Sequence, residues 1–313
     1  MRITSWSLAL LLSLGTTQAF ALAKTEVGSV VEVSLEQLHP TQTVVGYDQI
    51  YFNLGRFAKH RGKLFNEYCQ SNGQGDAHYV PKSADLLHPG SFECETRVGT
   101  HPKEMKTVVI GPGGQMYLTD GHHTFTTFWE QPGAGPQLKM WVRVTADYSD
   151  SPDMTSFWQR MNKAHKVWLK DGNGQVIKPE QLPEHLGLKN LQNDPFRSLV
   201  YFVRGAAYGR PSTKGAPPEF LEFYWGDWLR PQVNLSRYDL GKRADYHRAL
   251  TKVGKLMTSL RASAKVGKSG LTVLQLGGQG LLDTEVLDET VATKLPVMLE
   301  YKAHLRSEAA VTP

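Results

Sequence analysis

Cysteine is scarce in this chain. Among 313 residues there are two, Cys69 and Cys94. Neither has a histidine in an obvious partner motif, which argues against thiol catalysis. An even count in an exported chain instead predicts a disulfide closing the polar segment between them. A long membrane-spanning run is also missing: after residue 23, no apolar stretch is long enough to cross a bilayer. Charge of one sign is not concentrated either. The formal net charge of +5 suits an anionic ligand but is no dedicated nucleic-acid stripe. No internal repeat appears. His78, His88 and His101 lie at spacings that make no metal-ligand pattern.

What is present begins with a leader. Arg2, the apolar run at 8–14, and small residues around Ala21 and Ala23 read as a secretory signal peptide over residues 1–23. Cleavage near Ala21 or Ala23 would deliver a periplasmic or secreted protein with no transmembrane anchor. Hydrophobic residues make up 40% and charged residues 21%, so the remainder is expected to fold around a core.

The informative stretch is 107–130, TVVIGPGGQMYLTDGHHTFTTFWE. Val108, Val109 and Ile110 read as a strand, Gly111-Pro112-Gly113-Gly114 as a turn, and Met116, Tyr117 and Leu118 as the returning strand. Phe125, Phe128 and Trp129 then recur at helical spacing. Asp120 is expected at the N-cap, with Gly121, His122 and His123 in the first turn. Free amides and the positive helix end favour phosphate there, and two imidazoles add donors and an acid or base.

Elsewhere, 29–34 alternates as a strand, and 47–68 places Ile50, Leu54, Phe57, Leu64, Phe65 and Tyr68 on one helical face. The segment 71–92 reads as a long loop and 138–146 as a strand. Asp153 is expected to cap a helix carrying Phe157, Trp158, Met161 and His165, and 168–177 reads as a hairpin. Asp194-Pro195 marks another helix start. The aromatic run 217–230 and the segment 241–261 read as further helices, with few signals beyond residue 262. The layout is α+β: a mixed domain at 24–178, then a mostly helical extension at 179–313.

The run Tyr117-Leu118-Thr119-Asp120-Gly121-His122-His123 resembles the signature loop of the ParB/sulfiredoxin superfamily, nearest its branch of ParB-like nucleases. Leu38-His39-Pro40-Thr41-Gln42 followed by Val45-Gly46 resembles that branch's opening motif. Asp194-Pro195-Phe196-Arg197-Ser198-Leu199 and the helix holding Glu219–Trp225 and Asp227–Arg230 resemble its downstream elements. The resemblance covers about 29–262 and implies a small sheet-and-helix domain whose central loop contacts phosphate. Where sulfiredoxins carry Cys and Arg in that loop, this chain has Gly121 and His123. Sulfinic-acid repair is therefore excluded, and the usual guanidinium clamp is missing. Arg197 could supply a fork-shaped donor instead.

Three readings follow. In the first, a phosphoester is hydrolysed, with Asp120, His122 and His123 catalytic. Gly121, Thr124, Gln42, Arg197 and Ser198 would contact the ligand. The cofactor is unknown; a divalent metal could join at Asp120 and His122. In the second, the chain is a nucleotide-using phosphotransferase. In the third, it binds a phosphorylated or acidic ligand without turnover. The expected partner is a phosphate-containing ligand or nucleic acid.

Overall fold

A computed structural model describes residues 25–211 and 217–311. The predicted leader at 1–23 lies outside the described residues.

β1 (Val30–Ser34) is followed by β2 (Leu38–Pro40) and β3 (Val44–Val45). Two helices come next, α1 (Tyr47–Lys59) and α2 (Arg61–Ser71). The single helix expected over 47–68 is thus broken at His60, whose backbone leaves the helical region (φ −137°, ψ 85°). The apolar face survives the break: Ile50, Leu54, Phe57, Leu64, Phe65 and Tyr68 are all buried in one core.

The long loop contains a short ladder, β4 (Ala77–Tyr79) with β5 (Glu93–Cys94). Cys69 on α2 and Cys94 on β5 form the expected disulfide, with Cα atoms 5.7 Å apart. β6 (Thr107–Ile110), β7 (Met116–Asp120), α3 (His122–Glu130) and β8 (Lys139–Asp147) follow in the expected order. On β8, Met140, Val142 and Val144 are buried while Trp141 and Arg143 are half-exposed, the period-2 signature of a strand with one core face.

The main sheet runs β1-β8-β6-β7-β2. β1/β8 and β6/β7 are antiparallel; β6/β8 and β2/β7 are parallel. α4 (Met154–Lys163) is capped by Asp153, which accepts from the Ser156 N–H at 2.7 Å. His165 lies past that helix with positive φ. The expected hairpin at 168–177 is reduced to one bridge, Lys170 to Val176, around the Asp171–Gly174 turn.

β9 (Gln192–Asn193) pairs with β3 and leads into α5 (Pro195–Phe202), then α6 (Leu221–Leu229) and α7 (Arg243–Thr258). The 28-residue α8 (Thr284–Val311) closes the chain's described part. α8 falls within the helical extension expected at 179–313, though its bounds were not read from the sequence. It lies against α1, and Gly55 makes this possible: a Cβ there would stand 2.9 Å from the Val297 carbonyl oxygen.

Two principal cores result. One lies between the sheet and α1–α3 and includes Leu186 and Leu191. The other gathers α5–α8 and takes in Phe52 from α1. Asp48 ties α1 to the helices: it accepts from Lys302 Nζ at 2.7 Å and from the Tyr246 hydroxyl at 3.1 Å. Among the described residues no helix is long and apolar enough to cross a membrane.

Candidate functional site

The 107–130 element folds as its pattern demands except at one residue. Asp120 is not the N-cap of α3; it is the last residue of β7 and is exposed. Gly121 is the N-cap, at φ 111° and ψ 4°. A residue with a Cβ is disfavoured at such φ, and here a Cβ would also stand 2.6 Å from Cγ of Lys106. The strand can therefore run through Asp120 and reverse into α3 within one residue.

The reversal buries both imidazoles. His122 is 3% and His123 8% exposed. His122 Nε2 accepts the Thr41 N–H at 3.1 Å, and His123 Nε2 accepts the Gly46 N–H at 2.9 Å. Together they pin the segment between β2 and α1. Each Nε2 must present a lone pair, so the tautomer inferred from this network carries its proton on Nδ1. Burial pushes His122 down to about 3. It also pushes His123 well below 6.5, with the Arg197 and Arg204 charges adding to the effect. Both rings are neutral donors at ordinary pH. Backbone amides, not Asp120, engage the Nε2 atom of each imidazole.

Further elements converge here. Asp194 caps α5 through the Phe196 N–H at 2.9 Å and is paired with Arg230. Ser198 Oγ accepts the Asp48 N–H at 3.3 Å, and a Cβ on Gly46 would meet that oxygen at 2.7 Å. The N-terminal turns of α1 and α5 are thus packed together by a glycine.

A polar cavity of about 280 Å³ opens among these helix starts. Gln42, Asp120, Gly121, His122, His123, Thr124 and Arg197 all line it; Ser198 does not, being spent on α1. Gln42 is turned partly to its own loop, donating to the Val44 carbonyl. Arg197 is 5% exposed, and its Nε and Nη1 have no hydrogen-bond partner, nor has Gln49 Oε1. Buried guanidinium N–H groups left open are costly unless a ligand accepts them.

The sequence reading missed Lys106, Gln49, Arg204 and Glu222. Glu222 is the central one. It pairs with Arg204, and its other oxygen lies 3.8 Å from Arg197. Burial would raise its carboxyl, but Arg197 and Arg204 overcome that and draw it down to about 2. The signal was present: a lone carboxylate inside an aromatic run, Phe-Leu-Glu-Phe-Tyr-Trp, needs a cationic partner if its helix is buried.

The donor set does not build a metal centre by itself. Among the described residues no three His, Cys, Asp or Glu side chains cluster suitably. His122 Nε2 is already occupied, leaving Asp120 as the accessible carboxylate of the pair first considered. What the lining suits is an anion: the amino end of α3, the neutral imidazoles, Lys106, Arg197 and Arg204 line the space, outnumbering in charge the Asp120 and Glu222 carboxylates.

A similar fold is seen in the crystal structure of protein Atu1540 from Agrobacterium tumefaciens. It has a TM-score of 0.50 at 22% identity, covering 74% of this chain and 91% of that one. No curated protein matches the chain. Residues 31–231 match the family model described as "Putative ParB-like nuclease". That match spans both imidazoles, Arg197 and Glu222, and on it the chain belongs to the ParB-like nuclease family.

Proposed function

We propose that the protein hydrolyses phosphodiester bonds of nucleic acid at the Asp120–Thr124 corner. The observation that carries this is the buried Arg197 guanidinium, with two open N–H edges in a cavity shared with two neutral imidazoles. Arg197, His122 and His123 would hold the phosphoryl oxygens as donors and stabilise the charge that grows on them. Asp120, exposed at the rim, would take the proton from the attacking water. The Lys106 ammonium would balance charge on the departing oxygen. Glu222 would keep Arg197 in place. The imidazoles enter as donors, because rings held neutral with Nε2 engaged are poor general bases. A divalent ion carried by the substrate phosphate would need few protein ligands.

The disulfide and the leader at 1–23 support action outside the cytoplasm, in a periplasmic or secreted setting. The N-terminal residue of chain recovered from that compartment checks this: Leu22 or Lys24 is expected, and an intact Met1 counts against export.

Turnover of single- and double-stranded DNA, RNA and bis(p-nitrophenyl) phosphate, each with and without Mg²⁺, Mn²⁺ or Zn²⁺, tests the hydrolysis. Cleavage lost in Asp120→Asn is expected. Absence of cleavage from folded protein would sink the reading. The locked neutral imidazoles favour a second reading, an anion binder without turnover; retained phosphate binding with no cleavage would establish it.

A further inference from the structure

A second, larger cavity of about 670 Å³ lies on the far side of the aromatic wall that bounds the first. One face of α6 supplies Tyr224, Asp227 and Trp228, at the i, i+3, i+4 spacing of a helical stripe. Trp168 stands opposite, its ring 5.3 Å from that of Tyr224. Lys170, Gly174 and the stretch 266–269 complete it. Gly267, with positive φ, brings its backbone against the Trp228 side chain, where a Cβ would sit 3.5 Å from the Trp228 Cβ.

Three cations line this cavity, Lys170, Arg230 and Lys268, against one acidic residue, Asp227. Lys170 is engaged by Asp227 and Arg230 by Asp194. Lys268 is exposed and without an ion pair among the described residues, and the buried Arg230 Nε has no hydrogen-bond partner. Aromatic faces interleaved with basic side chains suit a ligand with a flat apolar part joined to an anion.

The two cavities are neighbours. The Phe223 ring lies 5.6 Å from the Arg197 guanidinium on one side and 5.2 Å from the Trp168 ring on the other. One aromatic side chain, Phe223, stands between the Arg197 guanidinium of the first cavity and the Trp168 ring of the second.

We propose that the second cavity is a stacking subsite for a base of single-stranded nucleic acid. The base lies against Trp228 and Tyr224, and Lys268 meets the following phosphate. The proposal rests on the phosphodiester reading of the first cavity for the path of the strand, but its binding chemistry stands apart from turnover. A duplex, whose bases are already stacked and paired, presents no free face to this site.

Fluorescence anisotropy of a labelled oligothymidylate with the full chain tests it, beside a duplex of equal length and free thymidine monophosphate. Single-strand binding stronger than duplex binding is expected, with quenching of tryptophan emission. Trp228→Ala should weaken it on the order of ten-fold. Lys268→Glu, a change at an exposed side chain, should weaken it and reduce the slope of log affinity against log salt by about 0.7. Unchanged affinity in a folded Lys268→Glu chain, or equal affinity for duplex, would overturn the proposal. Binding of the mononucleotide alone would replace the strand with a small ligand. Single-strand binding sensitive to both substitutions, with no cleavage under any metal condition, keeps this subsite and defeats the hydrolysis reading.

Discussion

His123 holds Gly46 across 77 residues of sequence: its Nε2 accepts the Gly46 N–H at 2.9 Å. A side chain at the first turn of α3 thus fixes the N-cap of α1. His123→Ala leaves that buried N–H without an acceptor and is expected to lower stability by about 1–3 kcal/mol. His123→Gln, whose carbonyl can accept, should recover part of the loss. Urea denaturation of the three chains checks this, and equal midpoints for alanine and glutamine would contradict the hydrogen-bond role.

Acid should weaken the fold in a definite window. The imidazoles of His122 and His123 are depressed from 6.5 in the folded chain, His122 to about 3. Below pH 6.5 the unfolded chain therefore binds protons that the folded chain refuses, so stability falls as pH falls. Each such group contributes a slope of about 1.4 kcal/mol per pH unit. Glu222 acts lower: its carboxyl sits at about 2 against an ordinary 4.5, so its contribution is lost only as pH falls from 4.5 towards 2. Unfolding free energies between pH 7 and 4.5 should show the imidazole slope, and His122→Gln should reduce it by one group's share. An unaltered slope in that variant would remove His122 as the source.

Arg197 should matter to turnover more than a positive charge alone explains. Arg197→Gln is expected to lower kcat by about 10²- to 10³-fold. Arg197→Lys should restore little, since an ammonium lacks the fork of the guanidinium. Steady-state kinetics on bis(p-nitrophenyl) phosphate separates kcat from KM. A lysine variant of full activity would reduce the residue to an unspecific cation.

Gly121 should tolerate no side chain. With φ at 111° and Lys106 Cγ 2.6 Å from where a Cβ would lie, Gly121→Ala should cost about 1–3 kcal/mol in backbone conformation. It should also displace Lys106 from the cavity rim. Thermal unfolding measures the first effect; an alanine chain as stable as the parent would show that the corner can reshape.

The Cys69–Cys94 bridge spans 25 residues of sequence, for which loop closure predicts about 3 kcal/mol. Cys69→Ala/Cys94→Ala should lose that stability, and reductant should weaken the parent but leave the double variant unaffected. Reductant sensitivity in the double variant would point to a cause other than the disulfide.

The parts legible from the sequence were those governed by short-range rules. The Gly-Pro-Gly-Gly turn, the alternation of β8 and the Asp153 and Asp194 caps each follow from neighbours in the chain, while the disulfide follows from there being only two cysteines. Asp120 was misplaced because an aspartate before a helix is ordinarily its cap, while a glycine able to take positive φ moved that role one residue on. Glu222, Arg197 and Arg204 were not seen as a group because their meeting depends on how α5 and α6 pack. Within the helical extension expected at 179–313, the bounds of α8 were not read for a related reason. Leu287, Val291, Leu295 and Met298 do recur on one face, but Pro296 interrupts the run and argues locally for a break. Packing against α1 carries the helix through.

The ion pair between Asp48 and Lys302 joins positions 254 residues apart in sequence. One end stands beside the helix start that His123 secures, and the other lies on α8. The corner at 120–124 is thus backed by a helix that adds no residue to the cavity lining, so removing the chain from residue 302 onward would take support from α1 while leaving every lining residue in place.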